Sequence, residues 1–458
     1  MEHRQTQQLG REKITKLLIH FSIPAVIGTF MNSLYNVVDR IFIGQGIGAE
    51  GLAAAMIAFP IMMMVMAFGM LIAFGSNALI SIRLGEKKKE EAEEILGQAL
   101  FLFFIFSVSF TTGGLLVLKP MLRLFGASEQ VLPYAMEYTR IILIGVLFHE
   151  ISFGMNNFIR GEGNPRVAMV TMIIGAGTNI ILDPIFIFVL KMGMSGAALA
   201  TVLAQLLAAL WVLRYYLGGK SVLKLHRHFF TIKLNLTRSV VIIGSPPFVM
   251  NIANVFILAF VNNALKLYGG DIAIAVMGVI FTIYTINFMP IIGISQGAQP
   301  IMGYNHGAKD YSRVKDTLVL AIKIVTVFCL AATALIWLFP KYTFLPFSRG
   351  NRELIELGKH AIRITMSMFP FIGFMVIVSN YFQATARPQI SLFLSMLRQV
   401  LVLIPCVLIL PRFVGLDGIW YAYPISAAFS FLTCLIFYMR EVRKLNRNIS
   451  LTVSTIQV

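Results

Sequence analysis

Apolar residues run along this chain in long blocks, separated by short polar or basic segments, and not at the alternating period of a half-buried strand. About twelve blocks are long enough to cross roughly 30 Å of hydrocarbon. They predict helices near residues 14–44, 51–82, 95–118, 137–160, 167–190 and 194–216, then near 237–266, 272–303, 317–340, 359–382, 390–411 and 416–439. Helix is the expected form because the bilayer interior offers no water to satisfy an open backbone. The polar start, Met1 to Glu12, carries no apolar core followed by small residues, which predicts that no leader is removed.

The blocks come in two sets. Pro24 to Gly85 aligns without a gap on Pro246 to Gly307, about 222 residues later: Asn32 falls on Asn254, Phe59 on Phe281, Gly75 on Gly297 and Lys87 on Lys309. Further on, Arg140 falls on Arg363, Pro165 on Pro388 and Gly196 on Gly418. A duplicated apolar chain points to a transporter built from repeats. Six helices per half keep the halves in one orientation, related by an axis along the membrane normal. The expected fold is all-α and membrane-embedded, with twelve transmembrane helices in two six-helix bundles. Its parts are a first lobe at 12–217, a connector at 218–236, a second lobe at 237–441 and a tail at 442–458.

Composition agrees with the pattern. Charged residues make up 13% and hydrophobic ones 57%, with a mean hydropathy of +0.79; a soluble domain is about a quarter charged. The net charge of +17 suggests nucleic acid until its distribution is read. About 24 Lys and Arg fall on the side of the termini and about 11 on the other, a topology signal that places both termini in the cytoplasm. The expectation is a multi-pass protein of a prokaryotic cytoplasmic (inner) membrane, with no nucleic-acid partner and a monomeric state. The connector region Arg214 to Arg238 would lie against anionic lipid head groups. Cys329, Cys406 and Cys434 have no CxxC or histidine spacing and read as small packing residues. No GxxxxGK[ST] sequence is present, so no ATP chemistry, catalytic residue or organic cofactor is expected; an ion gradient is the remaining energy source.

An ion site is sought among ionisable residues far from helix ends, each of which costs about 3 kcal/mol or more at mid-bilayer. These are Asp39, Arg40, Glu150, Asp183, Lys323 and Arg398, and all the acidic ones lie in the first half. At 1.5 Å per residue, Asp39 and Asp183 fall in one layer of the outer leaflet, with Ala197 and Thr201 of the sixth helix at the same depth. Asn179 and Asp183 share a helix face, as do Ala197 and Thr201. Asp39, Asn179, Asp183 and Thr201 would give hard oxygen ligands for Na⁺, with a carbonyl freed at Asp183-Pro184. Equally, the two carboxyls could share a proton. The bland alternative is that Asp39 pairs with Arg40 and that Asn179 to Pro184 is a kink with an internally satisfied polar cluster.

Substrate contacts are less legible. The 24 Met and 37 Phe would repack around ligands of different shape, although any one of them is more simply packing or lipid contact. Polar positions on the first, second, seventh and eighth helices are better candidates for a cavity: Asn32, Tyr35, Asn36, Asn254, Tyr284, Asn287 and Gln296. Interhelical hydrogen bonding is the competing role. Glu150 could attract a cationic ligand or relay a proton, or simply bond His149. Arg398 reads as a snorkelling or lobe-packing residue.

Several motifs occur in a fixed order: Leu84-Gly-Glu-Lys87, Arg160-Gly-Glu-Gly-Asn-Pro-Arg166 and its counterpart Gln383-Ala-Thr-Ala-Arg-Pro388, and Asn179-Ile-Ile-Leu-Asp-Pro184 followed by Gly196-Ala-Ala-Leu-Ala-Thr201. In these the chain resembles the multidrug and toxic compound extrusion (MATE) transporters over roughly residues 12–441. The resemblance implies the MATE/MOP-type duplicated fold and antiport of amphipathic, often cationic compounds against H⁺ or Na⁺ by alternating access. It implies a cation site at Asp39, Asn179, Asp183, Ala197 and Thr201, with Asp39 as the switch and Pro24 as the point where the first helix bends. Relatives with acidic cation ligands in the second lobe differ from this chain, which has Val261 at the match of Asp39. Two rival readings are a flippase for lipid-linked precursors or specialised metabolites, which calls for a strongly cationic cavity, and a prenyltransferase-type enzyme. The latter needs clustered Asp at helix ends for Mg²⁺ and diphosphate.

Overall fold

A computed structural model describes residues 8–348 and 351–456; the first seven residues and the last two of the expected tail lie outside it. The described residues are helical throughout their ordered elements and form no strand. Nine helices among them are long and apolar enough to cross a membrane, and two bent pairs raise the number to eleven. The first lobe contains α1 (Ile14–Gly46), α2 (Ala49–Gly85), α3 (Lys89–Leu116), the bent pair α4 (Leu132–Ile144 and Val146–Gly161), α5 (Pro165–Val189) and α6 (Gly193–Leu217).

The second lobe starts with one helical run, Leu234–Gly307, which a non-helical Gly270 (φ 64°, ψ −162°) divides into α7 (234–269) and α8 (271–307). Then come α9 (Tyr311–Leu338), the bent pair α10 (Arg352–Thr365 and Phe369–Ala384), α11 (Pro388–Val414) and α12 (Leu416–Ile456). Helices or bent helix pairs thus cover the expected apolar blocks, with longer ends. Glu90 and Glu91 extend α3 back to Lys89 by complementing its N-terminus. Asp310 accepts from the Arg313 amide and caps α9. Residues 442–456 prolong α12 rather than leave it.

The duplication reaches the backbone. Left-handed residues occur in pairs at the repeat spacing: Gly48 with Gly270, Lys87 with Lys309, Gly163 with Ala386, and Gly193 with Gly415. Lys88 N bonds Arg83 O, and Asp310 N bonds Asn305 O, the six-to-one closure that ends a helix at a left-handed residue. That non-glycine residues hold such angles at Lys87, Lys309 and Ala386 shows the cap geometry outweighing a local preference.

Both termini-side loops and the connector share one face. There Glu162 takes up Ser221 and the Val222 and Leu223 amides, Glu93 holds the Lys224 amide and His226, and Arg387 clamps Glu441 with two bonds of 2.6 Å. The lobes meet near this face through α1, α2, α7 and α8. Gly75 lies against Val240 and Gly244, and its mate Gly297 against Phe21 and Ser22; Gly85 abuts the Tyr304 backbone, and Gly307 the Ile82 backbone. On the axis between them Asn77 Nδ2 donates to Gln299 Oε1 at 3.4 Å, two residues 222 positions apart. The N-terminal segment crosses over too: Arg313 donates to Leu9 O (3.0 Å) and Glu12 O (2.7 Å). The close approaches between lobes cluster in this half of the molecule, so it is closed toward the termini face.

Candidate functional site

Toward the opposite face, α1 carries Asp39 roughly 10 Å from its end, seven residues of helix rise. Helix α5 carries Asn179 and Asp183 a turn apart, and α6 carries Ala197 and Thr201. Pro184 lacks an N–H and crowds the carbonyl four residues earlier, and the helix continues as a wider π stretch, Ile185–Val189. Small residues let the three helices close up: Gly28 of α1 lies on Met172 of α5, and Ala197, Ala198 and Ala200 line α6.

The result brings Asp39, Asn179, Asp183 and Thr201 together, with Ala197 one turn before Thr201 on α6. Asp183 and Ala197 are 0% exposed, Asn179 1% and Thr201 6%, while Asp39 is half-buried. Asn179 Nδ2 donates to Asp183 Oδ1 (3.4 Å) and to Thr201 Oγ1 (3.3 Å). The Asp39 and Asp183 carboxyls are direct neighbours. Arg40 sits over the Phe59 ring, 5.6 Å from its centroid, and forms no ion pair with Asp39 among the described residues. Three buried oxygens, Asp39 Oδ1, Asn179 Oδ1 and Asp183 Oδ2, have no hydrogen-bond partner among the described residues. Two adjacent carboxyls with spare lone pairs call for a proton or a cation between them, and the donor set of carboxylate, amide and hydroxyl oxygens suits a hard cation such as Na⁺.

Tyr35 and Tyr138 both lie within the field of the Asp39/Asp183 pair. Tyr35, one of the substrate-cavity candidates, lies near the carboxyls. Tyr138, on α4 and 3% exposed, was not singled out from sequence; a tyrosine in an apolar helix has no periodic signature until the packing brings α4 to α1.

The remaining candidates are dispersed. Asn32, Asn36 and Asn254 are exposed, and Asn36 donates to the Asn32 carbonyl. Asn287 donates to Ile283 O on its own helix, and Gln296 keeps a buried Oε1 without a partner among the described residues. Tyr284 stacks on Phe288 and accepts from Arg398 Nη1 at 3.4 Å. Arg398 therefore packs within its lobe rather than snorkelling. Glu150 is fully enclosed beside Gly69, bonds neither His149 nor backbone, and lies between the two halves of the first lobe's core. Pro24 is buried in an α1 that runs unbroken from Ile14 to Gly46.

Among known proteins, the MatE family model matches residues 24–185 and again 246–408, the two halves separately. The chain is 26% identical over 440 residues to the multidrug export protein MepA of Staphylococcus haemolyticus (strain JCSC1435), covering 96% of each. To that of Staphylococcus aureus (strain NCTC 8325 / PS 47) it is 26% identical over 457 residues, 97% of this chain and 98% of the relative. Of solved structures, a complex of the MATE multidrug transporter DinF-BH is 41% identical with a TM-score of 0.88, over 95% of this chain and 98% of that one. The outward-facing conformation of a multidrug resistance MATE family transporter of the MOP superfamily is 26% identical with a TM-score of 0.91, over 97% and 99%.

Proposed function

This chain belongs to the MatE family of membrane transporters and is not an enzyme; from that premise we propose that it is a cation-coupled antiporter. It exports amphipathic, often cationic drugs or toxic compounds across the cytoplasmic membrane by alternating access. The observation that carries the reading is the pair Asp39/Asp183 with three partnerless oxygens, the place in the first lobe where a proton or Na⁺ is chemically wanted.

The termini face is taken as cytoplasmic from the distribution of Lys and Arg. The described conformation is then sealed inward by the Gly85, Gly307 and Asn77–Gln299 contacts. Asp39, Asp183, Asn179 and Thr201 hold the cation, Ala197 keeps α6 close, and Tyr138 and Tyr35 border the pair. Charging or neutralising Asp39 alters how α1 packs on α5, and α1 also contributes Phe21, Ser22 and Val26 to the lobe contact. An inward charge gains about 2.3 kcal/mol per 100 mV. Coupling requires only that cation and substrate favour different states. Pro24 is the place at which α1 would bend.

The test is ethidium efflux from reconstituted vesicles under an imposed Na⁺ or pH gradient, for wild type and Asp39→Asn. Gradient-driven efflux lost at least tenfold in a well-inserted mutant is the expected result. Intact export by the mutant refutes the site; no gradient-driven efflux by wild type shifts the reading to a lipid or metabolite flippase.

A further inference from the structure

The repeat offset places Val261 of the second lobe where Asp39 stands, Val402 and Cys406 where Asn179 and Asp183 stand, and Tyr423 where Thr201 stands. The second lobe thus lost every side-chain oxygen of the cation site except one, now a phenol. One turn before Val402 stands Arg398, inside the π stretch Leu397–Leu403 of α11. A π stretch also follows Asp183 in the first lobe. Arg398 is half-buried and its sole hydrogen bond among the described residues is the 3.4 Å contact to Tyr284 Oη. Tyr423, half-buried, lies in the field of both.

No ion pair involves Arg398 among the described residues. The acidic groups of this lobe lie at helix ends: Asp271, Asp310 and Asp316, Glu353 and Glu356, and Asp417, with Glu441 already bound to Arg387. A guanidinium has five N–H donors in a planar fork that matches a carboxylate, and here four find no acceptor among the described residues. Beside it Tyr284 stacks on Phe288 (5.3 Å, 18°) and meets Phe369 edge-on (5.6 Å, 79°), a flat aromatic wall next to the charge. The neighbouring Gln399 keeps a buried Oε1 without a partner among the described residues.

We propose that Arg398, with Tyr284 and Tyr423, forms an anion-accepting subsite of the second lobe that binds the carboxylate of zwitterionic or acidic aromatic substrates. This rests on the export reading above and extends it: the first lobe carries acidic groups for the coupling cation, and the second carries a cationic group, one turn from the position matching Asn179, for the acidic end of a substrate.

The test uses two forms of one cationic xanthene dye that differ in a single group, the ethyl ester and the free carboxylic acid. Binding to purified wild type and variants in nanodiscs is followed by fluorescence polarisation. Wild type is expected to bind both. Arg398→Met should weaken the acid at least tenfold and leave the ester within twofold, with Arg398→Lys intermediate. Tyr284→Phe, which keeps the ring stack, should weaken the acid about threefold and serves where Arg398→Met does not fold. Equal weakening of both dyes, no weakening of either, or binding of the ester alone by wild type overturns the subsite. Binding of neither dye by wild type overturns the export reading itself.

Discussion

Replacing Gly307 by alanine tests whether the seal on the termini face is a bistable contact. A Cβ at Gly307 would lie 2.9 Å from the Ile82 carbonyl carbon and 3.1 Å from Ile82 Cα, with the carbonyl oxygen nearer still. The opposing atoms are backbone and cannot rotate away. Overpacking of this kind costs about 1–3 kcal/mol, and it is felt only when α2 and α8 are in contact. The closed-to-open ratio should therefore fall roughly 5- to 150-fold. Gly85→Ala should act alike, because its Cβ would meet the Tyr304 carbonyl carbon at 2.8 Å and the Ala308 nitrogen at 3.0 Å. Gly278→Ala is the control: it lies on the same α8, nothing is within 4 Å, and alanine is the better helix former. The assay is maleimide labelling of Gln299→Cys in everted vesicles, on a background with Cys329, Cys406 and Cys434 replaced. Faster labelling in Gly307→Ala and Gly85→Ala than in Gly278→Ala is expected. Equal rates in all three would show that the glycines are not needed for closure, and the argument from close approach would fail.

Three further outcomes are expected. Glu441→Ala strands Arg387, which donates to both Glu441 oxygens at 2.6 Å; losing one partner of a largely buried pair costs about 3 kcal/mol, so the detergent melting point should drop, and adding Arg387→Met should recover part of it. Burial pushes Glu162 up to about 7 from the ordinary 4.5, against donors from Tyr215, Ser221, Leu223 and Val222. An acid with a raised folded-state pKa contributes stability that is complete below 4.5 and lost as pH rises from there through 7, so wild type should melt lower at pH 8 than at pH 6, and Glu162→Gln should flatten that slope. Tyr138→Phe, which keeps the ring beside Asp39 and Asp183, should shift the pH or Na⁺ dependence of efflux without changing protein yield; an unaltered ion dependence would remove Tyr138 from the proposed cation site.

Much of this molecule is written in one dimension. Hydrocarbon thickness sets the length of each apolar block, and a lipid-facing backbone leaves only helix, so the crossings followed from hydropathy alone. The duplication followed from residue identity, down to the glycines Gly48 and Gly270 whose positive φ separates adjacent helices in each half. Depth could also be counted: 1.5 Å per residue put Asp39, Asp183 and Thr201 in one layer before any helix was placed. Helix ends were less legible, because Glu90 and Glu91 and the polar end of α12 continue helices past their apolar blocks.

Depth is not direction. Only packing decided that Asp39 faces Asp183 while Arg40 turns to Phe59, that Tyr138 of a different helix joins them, and that Glu150 is closed away from any partner among the described residues. Only packing, too, brought Arg398 to Tyr284 and laid Gly307 on Ile82 across the lobe junction. The physical reason is that sequence spacing specifies contacts within a helix, three or four residues apart. Contacts between helices depend on how small residues such as Gly28 and Ala197 let whole surfaces approach, a property of two helices at once that neither sequence states alone.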